Sequence, residues 1–170
     1  MLTCRILSLL MACVSLICLL MALVTDYWLV VYGGKDIAHS GLWKTCIAGR
    51  CFAPTAPYDY IVATRAFLIL ASLAALASSV SLSASFTQCT LYNVRGSFIG
   101  SITAFAAGLC TLIAVAVYVA ESWENSDSSI QQTYEWSFYL AWAAFPMLLM
   151  AGIFSLLLHL RSPAPGYGNI

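Results

Sequence analysis

Three short stretches of the sequence hold residue types that can do chemistry. Cys46 and Cys51 flank Ile47-Ala48-Gly49-Arg50. A glycine-containing link of that length between two short segments suits a hairpin turn. Cysteines on its two arms form a disulfide if the loop lies outside the cytosol, and stay free thiols if it does not. Closing so short a ring stabilises by about 2 kcal/mol. A structural zinc needs more ligands than this pair, and His39 alone does not supply them. Asp36, His39 and Ser40 place an acid, a base and a hydroxyl in one loop. A nucleophilic triad is a matter of geometry, however, and nearness in sequence does not make one. The chain contains no Gly-rich phosphate loop and no paired His/Glu metal motif. The third stretch, Tyr167-Gly168-Asn169-Ile170, fits Tyr-x-x-Φ, the pattern read by clathrin adaptors. Such a peptide binds extended, with the tyrosine and the apolar residue in separate pockets.

The elements that must position these residues belong to a membrane protein. The chain is 62% hydrophobic and 8% charged, where a soluble domain carries about a quarter charged residues. Net charge is zero, which implies no nucleic-acid partner. The apolar residues fall into four runs, at about 6–24, 61–84, 98–120 and 137–160. Each is long enough for a helix to cross a lipid bilayer, which takes about 20 residues. Residues 1–170 therefore read as one membrane domain, with a first outer loop at 25–60, a second at 121–136 and a tail at 161–170. The first run is also weighed as a signal peptide. Its apolar stretch exceeds the usual core of about 7–15 residues, and no small-x-small cleavage site precedes Thr25-Asp26-Tyr27-Trp28. Cleavage there would leave three spans and termini on opposite sides.

Four spans put both termini on one side. That side, with the middle loop, holds Arg5, Arg95 and Arg161 and no acid. The other side holds Asp26, Asp36, Asp59, Glu121, Glu124, Asp127 and Glu135, together with Lys35, Lys44 and Arg50. Short loops weigh more than long ones in the positive-inside rule, so both termini are placed in the cytosol.

Ionisable groups are nearly absent from the spans. Arg65 and His159 come closest, near span ends, and Pro146 is expected to kink the fourth helix. Transporters place acids, bases or broken helices at the midplane, so this pattern argues against a transport pathway. The third span carries Gly96, Gly100, Ala104 and Gly108 at every fourth position. Such a smooth face lets helix backbones approach closely, either within one bundle or in a homo-oligomer. Cys13, Cys18 and Cys110 read as small apolar packers. Cys4 and Cys89, at the cytosolic boundary, are sites where palmitoylation is open.

The first outer loop is too long for a simple connector. Tyr27–Tyr32 is rich in aromatic and β-branched residues, as strands prefer, and Gly33-Gly34 breaks it. Gly41–Ile47 and Cys51–Ala53 read as two more strands, making a small antiparallel sheet on the bundle. Trp28 and Trp43 either bind a partner or, as tryptophans beside a membrane commonly do, anchor in the interface.

Taken together, Trp28, Gly41-Leu42-Trp43, Cys46, Cys51 and Arg65 resemble the W…GLW…C…C…R signature of the claudin, peripheral myelin protein and epithelial membrane protein superfamily. The Trp136–Trp142 opening of the fourth span agrees, and the resemblance covers nearly the whole chain. It implies a left-handed four-helix bundle under a small sheet, a Cys46–Cys51 bond, and Arg65 at the sheet–bundle junction. It implies no enzyme activity and no cofactor. Two branches compete. Thr64–Leu70 and the cysteine pair resemble the lens-fibre branch, whose members sit at plasma-membrane cell junctions. Cys4-Arg5, Thr25–Trp28, Ala38–Trp43, Thr103–Ala107, Ala116–Tyr118, Trp136–Leu140 and Pro163–Tyr167 look more like a cytotoxic-granule branch of killer lymphocytes. The cysteine pair departs from that second branch. Its expected function is support of granule exocytosis, and the Tyr167-x-x-Ile170 tail suits a lysosome-like membrane.

Overall fold

The computed structural model describes residues 2–33, 36–86, 90–124 and 131–161, with backbone alone for 90–95. Lys35, Cys89 and Asp127 lie outside them, as does the tail with Tyr167 and Ile170. Four helices dominate: α1 (Leu2–Val24), α2 (Asp59–Ala84), α3 (Thr90–Glu124) and α4 (Trp136–Arg161). All four are long and apolar enough to cross a membrane. Each packs on two neighbours, in the ring order α1–α2–α3–α4. α4 runs on through Pro146 as one helix.

The inward faces follow a repeat of alternating four- and three-residue steps. On α1 the buried residues are Ser8, Ala12, Ser15, Leu19 and Ala22. On α4, Ser137, Ala141, Ala144, Leu148, Ala151, Ser155 and Leu158 repeat it. This 3.5-residue period is the signature of left-handed packing. The seam is mostly small and hydroxyl residues, with leucines at Leu19, Leu148 and Leu158, while large apolar side chains such as Leu10, Ile17, Leu73, Ile102 and Leu109 point outward. That inversion follows from the solvent: lipid gives helices no hydrophobic reason to associate, so close backbone approach must do it.

Hydroxyls lace the seam. Ser8 donates to the Ala151 carbonyl at 2.8 Å, Ser78 to Gly100 at 2.8 Å, and Ser155 to Ser97 at 2.6 Å. Such bonds average about 0.6 kcal/mol each inside a bilayer. The small face of α3 belongs to the same packing. A Cβ on Gly96 would lie 3.1 Å from the Ser81 carbonyl, and one on Gly100 would lie 3.0 Å from the Leu82 side chain. Ala104 is fully buried, and a Cβ on Gly108 would sit 3.7 Å from Leu148 Cβ. This face packs inside the bundle against α2 and α4.

Above the bundle lies one antiparallel sheet of five strands: β1 (Leu29–Gly33), β2 (Asp36–Ser40), β3 (Thr45–Ile47), β4 (Arg50–Phe52) and β5 (Gln131–Tyr134). Their order is β4-β3-β2-β1-β5. Three sequence expectations change here. The strand expected over Gly41–Ile47 is confined to Thr45–Ile47, because Gly41 N–H turns back onto the Lys44 carbonyl at 2.9 Å and Leu42 drops into the core. β2 was not expected, since Asp-Ile-Ala-His-Ser has little strand preference of its own; it forms because strands flank it on both sides. β5, Gln-Gln-Thr-Tyr, is likewise recruited by β1, with Leu29 opposite Tyr134 and Tyr32 opposite Gln131. It ties the second outer loop to the first.

Candidate functional site: the sheet–bundle junction

The last four carbonyls of a helix have no partner within the helix. At the top of a membrane bundle they need donors from elsewhere. For α1 the chain supplies them one by one. Met21 O accepts Thr25 N–H at 3.0 Å and the Thr25 hydroxyl at 2.5 Å. Ala22 O accepts the Trp28 indole N–H at 2.6 Å. Leu23 O accepts the Trp43 indole N–H at 2.8 Å. Two of the signature residues therefore act as C-caps reaching back from the loop.

Trp28 is 0% exposed. Its ring packs against Tyr118 at 4.8 Å and Phe138 at 6.0 Å between centroids. Tyr134 stacks on Phe138 at 4.3 Å, and its hydroxyl is 2.9 Å from Ser122 Oγ. Trp28 is thus neither an interface anchor nor a partner-binding residue, as its place beside a span end suggested. The chain bends at Asp26, and the Trp28 indole lies in the bundle core. Its backbone meanwhile continues the sheet, donating to Ser40 O at 3.1 Å and accepting from Glu135 N–H at 3.0 Å.

Trp43 stays 42% exposed. The Arg65 guanidinium stands 4.5 Å above its ring centroid, a cation–π contact. Arg65 also donates from Nε to the Leu42 carbonyl at 2.7 Å and from Nη2 to the same oxygen. One arginine from the first turns of α2 thereby fixes the backbone at Leu42 and the ring at Trp43. Leu42 itself is buried in the core shared with Trp28, Tyr118 and Phe138. Gly41 completes the arrangement for a steric reason. A Cβ there would lie 2.3 Å from Asp26 Cα and 2.8 Å from Asp26 Oδ1. Only glycine lets the loop pass so close to the exit of α1.

Farther out, Cys46 and Cys51 are bonded across β3 and β4, directly opposite each other in register. The turn between them is two residues, Ala48 at φ 50° and Gly49 at φ 80°. Both are left-handed, as the tightest hairpins require. Beside the bond, a groove of about 400 Å³ is lined by Asp26, Tyr27, Ile37, His39, Cys46, Gly49 and Cys51. His39 lies edge-on to Tyr27 at 5.2 Å. Successive side chains of a strand point to opposite faces, so β2 sends His39 away from Asp36 and Ser40. These three residues are not brought together.

The structure thus gathers Trp28, Gly41, Leu42, Trp43 and Arg65 at one junction and holds Cys46 and Cys51 on the outer hairpin. Gly96, Gly100, Ala104 and Gly108 lie in the bundle seam, away from the junction. Sequence reasoning missed the aromatic floor formed by Tyr118, Tyr134 and Phe138. Its only signal was aromatic residues at two span ends.

The profile of the PMP-22/EMP/MP20/Claudin family matches residues 1–155. The chain belongs to this family. Mouse protein NKG7 is 38% identical over 168 residues, covering 98% of each chain. Human protein NKG7 is 37% identical, again over 98% of each. The rat lens fiber membrane intrinsic protein is 34% identical over 145 residues, 84% of each chain. These two groups match the granule and lens-fibre branches that the sequence resembles, in that order. A family of this kind, with four apolar spanning helices, makes the chain an integral multi-pass membrane protein in a lipid bilayer.

Proposed function

We propose that this chain is a non-enzymatic protein of cytotoxic-granule or secretory-lysosome membranes that supports granule exocytosis in effector lymphocytes. The observation that carries this reading is its similarity to protein NKG7 along 98% of both chains. Both termini lie in the cytosol and the sheet faces the granule lumen or the cell exterior. The acid-free Arg5, Arg95 and Arg161 support that orientation. So does the Cys46–Cys51 bond, which persists in oxidising compartments. Tyr167-Gly168-Asn169-Ile170 then meets a clathrin adaptor at the cytosolic surface. In this role the junction is structural, holding the outer sheet at a fixed height on the bundle. Immunolocalisation in killer lymphocytes tests the reading, which expects the protein in acidic granules. Staining confined to cell–cell contacts would overturn it.

A second reading, a plasma-membrane junction or adhesion protein, has one observation in its favour. The cysteine pair and Thr64–Leu70 resemble the lens-fibre branch, and the lens fiber membrane intrinsic protein matches over 84% of the chain. The same localisation experiment separates the two.

A further inference from the structure

We propose that a cleft between the outer ends of α2 and α3 binds the trimethylammonium headgroup of a choline lipid in the outer or lumenal leaflet. The cleft has a volume of about 490 Å³ and is lined by Tyr58, Asp59, Tyr60, Ala63, Val117 and Glu121. Three features of this lining converge on one ligand chemistry.

The first is an aromatic face. Tyr58 and Tyr60 stack with centroids 5.7 Å apart and planes 23° from parallel, which leaves the outer face of Tyr58, 67% exposed, to a ligand. Aromatic faces attract cations through the ring quadrupole, and quaternary ammonium groups are recognised in this way. The second is charge. Asp59 and Glu121 place carboxylates from two helices on the lining. The third is an apolar component from Ala63 and Val117, which N-methyl groups tolerate and a hydrated ammonium does not. A trimethylammonium has no N–H to donate, so it needs rings, diffuse negative charge and apolar contact. This cleft offers all three. A metal ion fits less well, because the described residues hold no group of three or more His, Cys, Asp or Glu that would bind one.

Position selects a lipid over free choline. Trp123, two residues beyond Glu121, is 77% exposed, and Tyr58 is 67% exposed. Exposed tryptophan and tyrosine at the ends of spanning helices sit at headgroup level. The apolar face of α2 begins directly beneath, with Val62 exposed to the acyl chains. A headgroup docked in the cleft leaves its chains running down that surface.

Native mass spectrometry of the full chain in maltoside micelles tests the assignment. The probes are dioleoyl phosphatidylcholine, phosphatidylethanolamine and phosphatidylglycerol at equal concentration. We expect phosphatidylcholine to be retained about five-fold over the other two, the size of one half-exposed cation–π contact. Equal retention of all three overturns the proposal without any variant being made. Tyr58→Ala and Glu121→Gln, both at exposed positions, should each erase the preference while the Cys46–Cys51 bond stays intact. If both variants keep the preference, the selectivity lies elsewhere and the cleft is not its source. Free phosphocholine is the last arm. It should compete only at large excess; displacement of the lipid at equal concentration means that a soluble ligand owns the site.

Discussion

The indole N–H groups of Trp28 and Trp43 bond neighbouring carbonyls, those of Ala22 at 2.6 Å and Leu23 at 2.8 Å. Two tryptophans fifteen positions apart in sequence thereby finish one helix end. The pair also joins the layers, because Trp28 belongs to the bundle core and Trp43 to the loop under Arg65. Their unequal burial makes the first prediction. Trp28→Phe strands the Ala22 carbonyl in a closed core and leaves a void, costing about 2–4 kcal/mol. Trp43→Phe keeps a ring under Arg65 at a half-exposed site, costing about 1 kcal/mol. Thermal unfolding of the purified variants should rank them in that order. Equal losses would mean that capping, rather than burial, sets the cost.

Arg65 is the second test. Its two donors converge on Leu42 O, and its guanidinium covers Trp43. Arg65→Ala removes both contacts at once and should lower folding yield, with retention early in the secretory pathway. Arg65→Lys keeps a charge and one donor but loses the planar fork, so partial recovery is expected. Co-localisation with an endoplasmic-reticulum marker, scored against wild type, checks both. Normal delivery of the alanine variant would dismiss the junction as a folding element.

Glycine positions separate packing from propensity. Gly41→Ala drives a Cβ to 2.3 Å from Asp26 Cα, a contact that backbone must move to relieve. This variant should fold poorly. Gly108→Ala meets nothing closer than 3.7 Å, so it should be tolerated, aided by up to about 1 kcal/mol of helix propensity. Expression and melting temperature of the two, side by side, decide the matter. A tolerated Gly41→Ala would show that the loop has slack at Asp26.

The hairpin supplies a fourth test. The Cys46–Cys51 bond closes a ring whose turn holds Ala48 at φ 50°, a conformation unfavourable for a residue with a Cβ by about 1–2 kcal/mol. Peptide mapping without reduction should return the two cysteines linked. Replacing both with serine should cost about 2 kcal/mol. Ala48→Gly should return part of that loss by relieving the turn. Alkylation of both cysteines before any reduction would refute the bond.

How much of this was legible in the sequence depended on where the information resided. The four helices were legible from run length, because a bilayer imposes it. The disulfide was legible from two cysteines around a glycine-containing turn. β2 and β5 were not, because Asp36–Ser40 and Gln131–Tyr134 are strands only by virtue of β1 and β3 beside them. The bundle seam was hidden for a different reason. In water a 3.5 repeat stands out as apolar against polar, but here Ser8, Ala12 and Ser15 repeat against leucine and isoleucine. Trp28 misled because composition places it at a span end, while a bend at Asp26, invisible to residue type, precedes a side chain that packs inward.

The tail tests the functional proposal itself. Tyr167 and Ile170 lie outside the described residues. α4 ends at Arg161, and the proline- and glycine-bearing stretch Ser162–Gly166 separates that end from Tyr167. An adaptor groove accepts such a motif as an extended peptide. Tyrosine suits the first pocket because its ring is apolar and its hydroxyl finds a polar partner, whereas phenylalanine supplies the ring alone. On the sorting proposal, Ile170 fills the second pocket. Tyr167→Ala and Ile170→Ala should each move the protein from granules to the cell surface, with expression and melting temperature unchanged. Tyr167→Phe should fall between wild type and alanine. Quantitative surface biotinylation of all four proteins gives the ranking. If neither alanine variant gains surface signal, the tail does not sort, and the plasma-membrane junction becomes the better account of where this chain works.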